Sequence, residues 1–288
     1  MPAPYPFSET LARLDAIDTW LKSAGFDSRD RFWRYRGNIR AMIEIQSSGG
    51  MEALDNISPE RSREIVWSYV EADEFVRAVD SLLTCLPKEI LQKQLAKALK
   101  GPADLALESQ RNSHGRNFMF ELVIGGRLAA ASLLPSFDRG PDLEFSFAGL
   151  RVAVQCKRPL SESGLGGTIK KAVSQLKKDK ADLSLVAVSV SRLMNPGGLD
   201  TIPEVERPET AHQYLNERVR QIAFSTRRFW HGKIDRAGIL FYAFTPIRWM
   251  QGKGHYGQIM ERCEVLSPVT KGEPTETLLK SLAQTIGA

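Results

Sequence analysis

Two short segments constrain this chain more than anything else in its sequence. In the first, Leu143 to Ala148, the apolar Leu143, Phe145 and Phe147 alternate with Asp142, Glu144 and Ser146. In the second, Val152 to Cys156, the apolar Val152, Val154 and Cys156 alternate with Arg151, Ala153, Gln155 and Lys157. A period of two is the signature of a strand with one face buried and one face polar. The joint at Gly149-Leu150 predicts a tight turn, so the pair reads as a β-hairpin. Its apolar face demands a covering layer. Its polar face gathers Asp142, Glu144, Gln155 and Lys157, because neighbouring strands lie under about 5 Å apart. Polar outward positions are ordinary on half-buried strands. What sets this face apart is which polar groups it carries.

The covering layers are legible on both sides. The first hundred residues read as helical. Ser8 is placed to cap a helix with an apolar stripe at Leu11, Leu14, Ile17 and Leu21, ended by Gly25. Ser58-Pro59-Glu60 sets a cap before a proline at the first helical position, ahead of Ile65, Trp67, Val70, Phe75, Val79 and Leu82. Another helix starts near Pro87 and stops at Gly101-Pro102. Beyond residue 101 the pattern turns to mixed α and β. A helix is expected over Asn117 to Ala131, then the hairpin, then a helix over Thr168 to Lys180 and a strand over Leu183 to Ser191. A Gly/Pro-rich loop is expected from Asn195 to Pro208, a helix from Glu209 to Trp230, and strands at Ala237 to Ile247 and near Cys263 to Leu266. The expected fold class is α/β, a mixed central sheet flanked by helices. The expected domains are a helical one at 1–100 and a catalytic one at 101–288.

Composition narrows the function classes. Hydrophobic residues are 42% and charged residues 25%, which suits a folded core rather than disorder. No apolar run approaches the ~18 residues of a membrane span, and MPAPYPFSET has neither the basic nor the apolar region of a secretion signal. The three cysteines, Cys85, Cys156 and Cys263, form no C-x-x-C pair, so a disulfide framework or a cysteine zinc site is not expected and a reducing cytoplasm is. His114, His212, His231 and His255 are scattered, against a transition-metal site. The net charge of +5 favours anionic partners, nucleic acid first.

The polar face of the hairpin has the chemistry that phosphodiester hydrolysis needs. A carboxylate is a hard oxygen ligand suited to Mg²⁺. A neighbouring lysine can neutralise charge developing on phosphate. Pro141-Asp142, followed thirteen residues later by Gln155-Cys156-Lys157, resembles the PD-(D/E)xK signature of the restriction-endonuclease-like nuclease superfamily. The resemblance spans roughly 103–191 in element order: a helix bearing Glu121, a strand with Asp142, a strand ending Gln155-Cys156-Lys157, a helix and a strand. It implies a restriction-endonuclease-like core that hydrolyses DNA with Mg²⁺, Mn²⁺ serving as substitute, in phage defence, restriction or repair. It further implies Asp142 as principal metal ligand, Glu121 as a second, and Lys157 as the catalytic lysine. Gln155 and the Cys156 carbonyl complete the implied ligand set, and Gln175 matches a glutamine that part of the superfamily carries near the site. The chain departs from the signature in one place, where Gln155 replaces the second acidic residue. Its amide oxygen can ligate Mg²⁺ without supplying charge, and Glu144 is placed to restore that charge.

DNA is the expected partner, with a homodimer or partner protein left open. Lys170, Lys171, Lys177 and Lys178, together with Gln175, are the candidate phosphate contacts on the helix after the hairpin; a solvated basic face is the alternative. The stretch RDRFWRYRGNIR packs five arginines and three aromatics into twelve residues, which reads first as a solvated face over buried aromatics. Arg227 and Arg228 beside Trp230 and His231 read as a basic helix end. Gly252-x-Gly254-x-x-Gly257 lacks the helix that a dinucleotide fingerprint requires, and Gly164-Leu165-Gly166-Gly167 reads as a loop near the site. The rival to a nuclease is a nuclease-fold module without catalysis that binds nucleic acid or a partner.

Overall fold

The structure is a computed structural model and describes residues 5–26, 31–49, 57–102, 105–109, 111–137, 140–194, 203–229, 236–251, 254–266 and 274–287. Four helices come first: α1 (Phe7–Ser23), α2 (Arg31–Gly49), α3 (Pro59–Leu83) and α4 (Lys88–Ala98). Then follow α5 (His114–Ala130), β1 (Leu143–Phe147), β2 (Leu150–Lys157), α6 (Glu162–Leu176) and β3 (Leu183–Ser189). The chain continues through β4 (Glu204–Val205), α7 (Pro208–Thr226), β5 (Ala237–Gln251), β6 (Gly254–Leu266) and α8 (Pro274–Gly287).

The strands make one mixed sheet in the order β1-β2-β3-β5-β4, with β6 along β5. β1 and β2 are antiparallel, with Leu143 opposite Val154 and Phe147 opposite Leu150. The turn between them is Ala148-Gly149, not Gly149-Leu150, and both residues have positive φ, 50° and 77°. Two successive positive φ values match the right-handed twist of the strands they join. β2, β3 and β5 run parallel, which calls for helical crossovers, and α6 and α7 supply them.

Period-two alternation divides the sheet's contacts into two cores. Ala153, Val186, Val188, Ile239 and Phe241 pack under α6 and α7 through Ile169, Val173, Leu215 and Val219. On the other face Leu143, Phe145, Val154, Cys156 and Leu185 meet α3, α5 and α8 through Trp67, Val70, Phe120, Ile124, Leu279 and Leu282. The hydrophobic core therefore runs continuously across the boundary expected near residue 100. α3 belongs both to this sheet-facing core and to the helical one built by α1, α2, α4 and α5.

Several local expectations are revised. Ser8 lies inside α1, whose N-cap is Pro6 with no side-chain cap. Ser58 does cap α3, accepting from the Arg61 amide at 3.3 Å. α6 begins at Glu162, six residues before the expected Thr168, so Gly164-Leu165-Gly166-Gly167 is helix rather than loop. Ser161 caps that helix by accepting from the Gly164 amide at 3.2 Å. Gly166 is required there: a Cβ would come within 2.5 Å of the Phe229 ring. β6 starts at Gly254, well before Cys263, and takes in Gly254 and Gly257; α8 had no expectation attached. The loop expected at 195–208 falls mostly outside the described residues, as do Trp230 and His231. No helix among the described residues is long and apolar enough to cross a membrane.

Candidate active site

The site lies where β1 begins and β2 ends. The β1–β2 ladder starts at Leu143, so Asp142, one residue earlier, is level with Gln155. Its Oδ2 accepts from the Cys156 amide at 2.8 Å, which fixes the carboxylate against the strand. The same Oδ2 accepts from the Lys157 ammonium at 3.2 Å. Lys157 also donates to Gln155 Oε1 at 2.8 Å, so one ammonium joins two oxygens on the polar face. The expected convergence of Asp142, Gln155 and Lys157 is found, and it is direct rather than water-bridged. Gln155 is 4% exposed and partly buried Lys157 and Asp142 cover it.

In a strand, the N–H and C=O of one residue point toward the same neighbour. The Cys156 amide points at Asp142, so its carbonyl opens on the same edge, beyond the first rung of the β1 ladder. The Cys156 thiol points the other way, into the core shared with α3 and α5. Burial, with Asp142 and Glu121 adding to it, pushes that thiol well above its usual range and keeps it protonated.

Glu121 reaches the site from α5. Burial pushes its carboxyl up to about 8, Asp142 pushes it further in the same direction, and Lys157 and Lys97 oppose the shift. Two carboxyls are thus close enough to feel each other, with one ammonium between the strands to offset them. Glu144 does not join them. Its carboxylate meets Arg151 at 2.7 Å, and Arg151 also pairs with Asp179 at 2.7 Å, so the charge that Gln155 lacks is not restored from there.

No known protein family's model matches the chain, and neither a curated protein nor a solved structure shows a significant match.

Mg²⁺ commonly uses one or two carboxylates and leaves its remaining positions to water and substrate phosphate. Asp142, Glu121, the Gln155 amide oxygen and the Cys156 carbonyl could offer oxygen donors of that kind. Among the described residues no group of three or more His, Cys, Asp or Glu side chains that could hold a metal ion is found.

The nucleic-acid candidates on α6 are spread along it. Lys170, Lys171, Gln175, Lys177 and Lys178 are all exposed, and Lys170 lies over the Phe229 ring at 5.2 Å. α6 runs back along β2, and Asp179 just past its end pairs with Arg151 at the strand's start. Arg151 and Lys157 are six residues apart on an extended strand, roughly 20 Å. Gln175, Lys177 and Lys178 therefore sit at the far end of the hairpin, and Gln175 is not brought beside the carboxylates. In the arginine-rich stretch, Arg31, Phe32 and Tyr35 are buried, Arg36 pairs with Asp15 and Asp18, and Trp33 is exposed.

Sequence reasoning missed a second polar group on the opposite face of β2. Arg158, next to Lys157, pairs with Glu108 at 2.7 Å, and Arg192 pairs with the same carboxylate at 3.2 Å. Glu71 accepts from Arg116 and Tyr35, and Glu74 from Tyr242. The available signal was Glu71, Asp73 and Glu74 interrupting the apolar stripe of α3.

Proposed function

We propose that this chain is a metal-dependent nuclease with a restriction-endonuclease-like core, hydrolysing DNA phosphodiesters at the Asp142–Gln155–Lys157 face. The observation that carries this reading is the convergence of the Asp142 carboxylate, the Gln155 amide oxygen and the Lys157 ammonium at one hairpin edge, with Glu121 approaching from α5.

Asp142, Glu121, Gln155 and the Cys156 carbonyl would hold Mg²⁺, which when bound supplies Lewis-acid polarisation of the phosphoryl group. Asp142 is held rigid by the Cys156 amide, so it positions whatever it binds relative to the strand. Lys157 carries its positive charge on the same face, where charge builds on the phosphoryl oxygens as the bond to the leaving oxygen breaks. Its donors are mobile about one nitrogen, so it can leave Gln155 for a phosphate oxygen without moving the backbone. The exposed lysines of α6 are proposed as phosphate contacts along the bound strand.

A second reading, a binding module of the same fold without chemistry, draws on the neutral Gln155. Incubating supercoiled plasmid with purified protein in Mg²⁺, Mn²⁺ or EDTA separates the two. Nicking or linearisation in either metal, absent in EDTA, is the expected outcome. Plasmid that is retarded on a gel yet uncut in both metals supports the binding module.

A further inference from the structure

At the carboxyl ends of β2 and β3, beside the middle of β5 and on the face covered by α3 and α5, lies a cavity of about 40 Å³. That is room for roughly three waters or one compact oxyanion. The ends of parallel strands are where open α/β sheets most often take ligands. Arg158 enters from the end of β2, Arg192 and Ser189 from the end of β3, Arg116 from α5 and Trp67 from α3.

Two independent observations set this cavity apart from an ordinary salt-bridge network. The first is charge. Arg31, Arg116, Arg158 and Arg192 share one buried region with Glu71, Glu74 and Glu108, and Asp73 beside them pairs with Arg77. Arg31 and Arg192 are pulled below the usual guanidinium range, first by burial, with neighbouring arginines adding to it. Glu74 is pushed up to about 8, chiefly by burial, so near neutral pH it contributes little negative charge. Arg116 pairs with Glu71, while Arg158 and Arg192 divide the single carboxylate of Glu108 between them. The second observation is a donor. Trp67 is 3% exposed and lines the cavity, and no described residue accepts from its buried indole Nε1–H. A buried N–H without an acceptor costs on the order of 1–3 kcal/mol, and an unplaced water or ion is a common explanation.

We propose that this cavity is a binding site for a compact oxyanion of the phosphate class, received by Arg116, Arg158 and Arg192 and by the Trp67 indole N–H. Guanidinium forks match tetrahedral oxyanions, and burial strengthens each charge-assisted hydrogen bond. The hydroxyl of Ser189, which donates to Ser191 at 3.5 Å, is the adjustable donor at the rim. The cavity and the Asp142–Lys157 edge lie on opposite faces of β2, since Arg158 and Lys157 alternate. The site therefore stands whether or not the hairpin edge cleaves nucleic acid. A free phosphate ion and a phosphate at the end of a strand share this chemistry.

The test is thermal unfolding of the full chain titrated with inorganic phosphate, with chloride at matched ionic strength as reference. A saturable rise in the unfolding midpoint is expected for wild type. Trp67→Phe removes the indole donor and keeps most of the packing, and should weaken phosphate at least about tenfold. Ser189→Ala provides a second, milder variant with the same direction of change, so the test survives if Trp67→Phe does not fold. A dinucleotide with a 5′-phosphate, beside its unphosphorylated counterpart, identifies the source. Tighter binding than inorganic phosphate assigns the site to strand ends, and weaker or equal binding assigns it to the free ion. The absence of any saturable shift in wild type overturns the proposal. So does a shift that both variants retain in full, because the ion then binds elsewhere.

Discussion

Lys157 and Gln155 share one hydrogen bond, and their roles separate on substitution. Gln155 offers a neutral oxygen whereas Asp142 offers charge, so Gln155→Ala should cost less cleavage than Asp142→Ala. Gln155→Glu should retain activity and lower the Mg²⁺ concentration needed for half-maximal rate, because the added carboxylate supplies the charge that Glu144 gives instead to Arg151. Titrating Mg²⁺ against initial rate for the three variants checks this, and an inactive Gln155→Glu enzyme contradicts the ligand role. At this scale the sequence was most informative where period-two alternation alone fixed the face, as for Asp142, Gln155 and Lys157. It misplaced Glu144, because side chains on one face do not necessarily converge: Arg151, close by on the neighbouring strand, claims that carboxylate. The arginine cluster lay beyond reach for a different reason. Arg31, Arg116, Arg158 and Arg192 come from four separate parts of the chain, and only tertiary packing joins them.

Helix α6 shows what local propensity can and cannot reveal. Three glycines in four residues argue against helix, yet the helix runs through them, capped by Ser161 and packed against Phe229. Gly166→Ala should therefore destabilise by about 1–3 kcal/mol through overpacking. Gly167→Ala meets nothing within 4 Å and should stabilise by up to about 1 kcal/mol. Chemical denaturation of the two variants checks the pair; a Gly166→Ala protein as stable as the Gly167→Ala one would mean that Phe229 does not pack there. The exposed lysines of the same helix carry a separate expectation. Replacing Lys170, Lys171, Lys177 and Lys178 together with glutamine should weaken DNA binding and reduce the salt slope by up to about 3 to 4. Gel-shift titrations at several salt concentrations measure it, and an unchanged slope would leave α6 a solvated face. By contrast the hairpin, α3 and the buried strand β3 were plain in the sequence, where alternation, a Ser-Pro cap and the apolar Leu185 to Val188 run each agree with the final fold.

Across the whole molecule, α3 ties the helical layer to the sheet through charged groups as well as apolar ones. Tyr242 on β5 donates to Glu74 on α3. Burial raises the Glu74 carboxyl to about 8, above its unfolded value, so the proton it holds in the fold is lost on unfolding near neutral pH. The sign follows: this group's stability is fully present below the unfolded value of 4.5 and is lost as pH rises through about 8. Glu74→Gln keeps an acceptor for Tyr242 and removes the titration, so its thermal midpoint should match wild type near pH 4.5 and exceed it above pH 8. A variant whose midpoint tracks wild type across that window would show that Glu74 is ionised throughout. The continuity of the core across residue 100 was not legible in the sequence, because Trp67 and Val70 continue the same apolar stripe that packs the helical layer.

On the proposed nuclease reading, Lys157 acts in chemistry while binding depends on many phosphate contacts spread over the surface. Single-turnover cleavage of plasmid DNA in Mg²⁺, with DNA affinity determined on the same preparations, tests it in wild type and Lys157→Ala. Cleavage should fall at least about a hundredfold in the variant, with affinity changed by less than about threefold, since one lysine is a small share of such an interface. If Lys157→Ala cuts at the wild-type rate, the hairpin edge is not the catalytic centre.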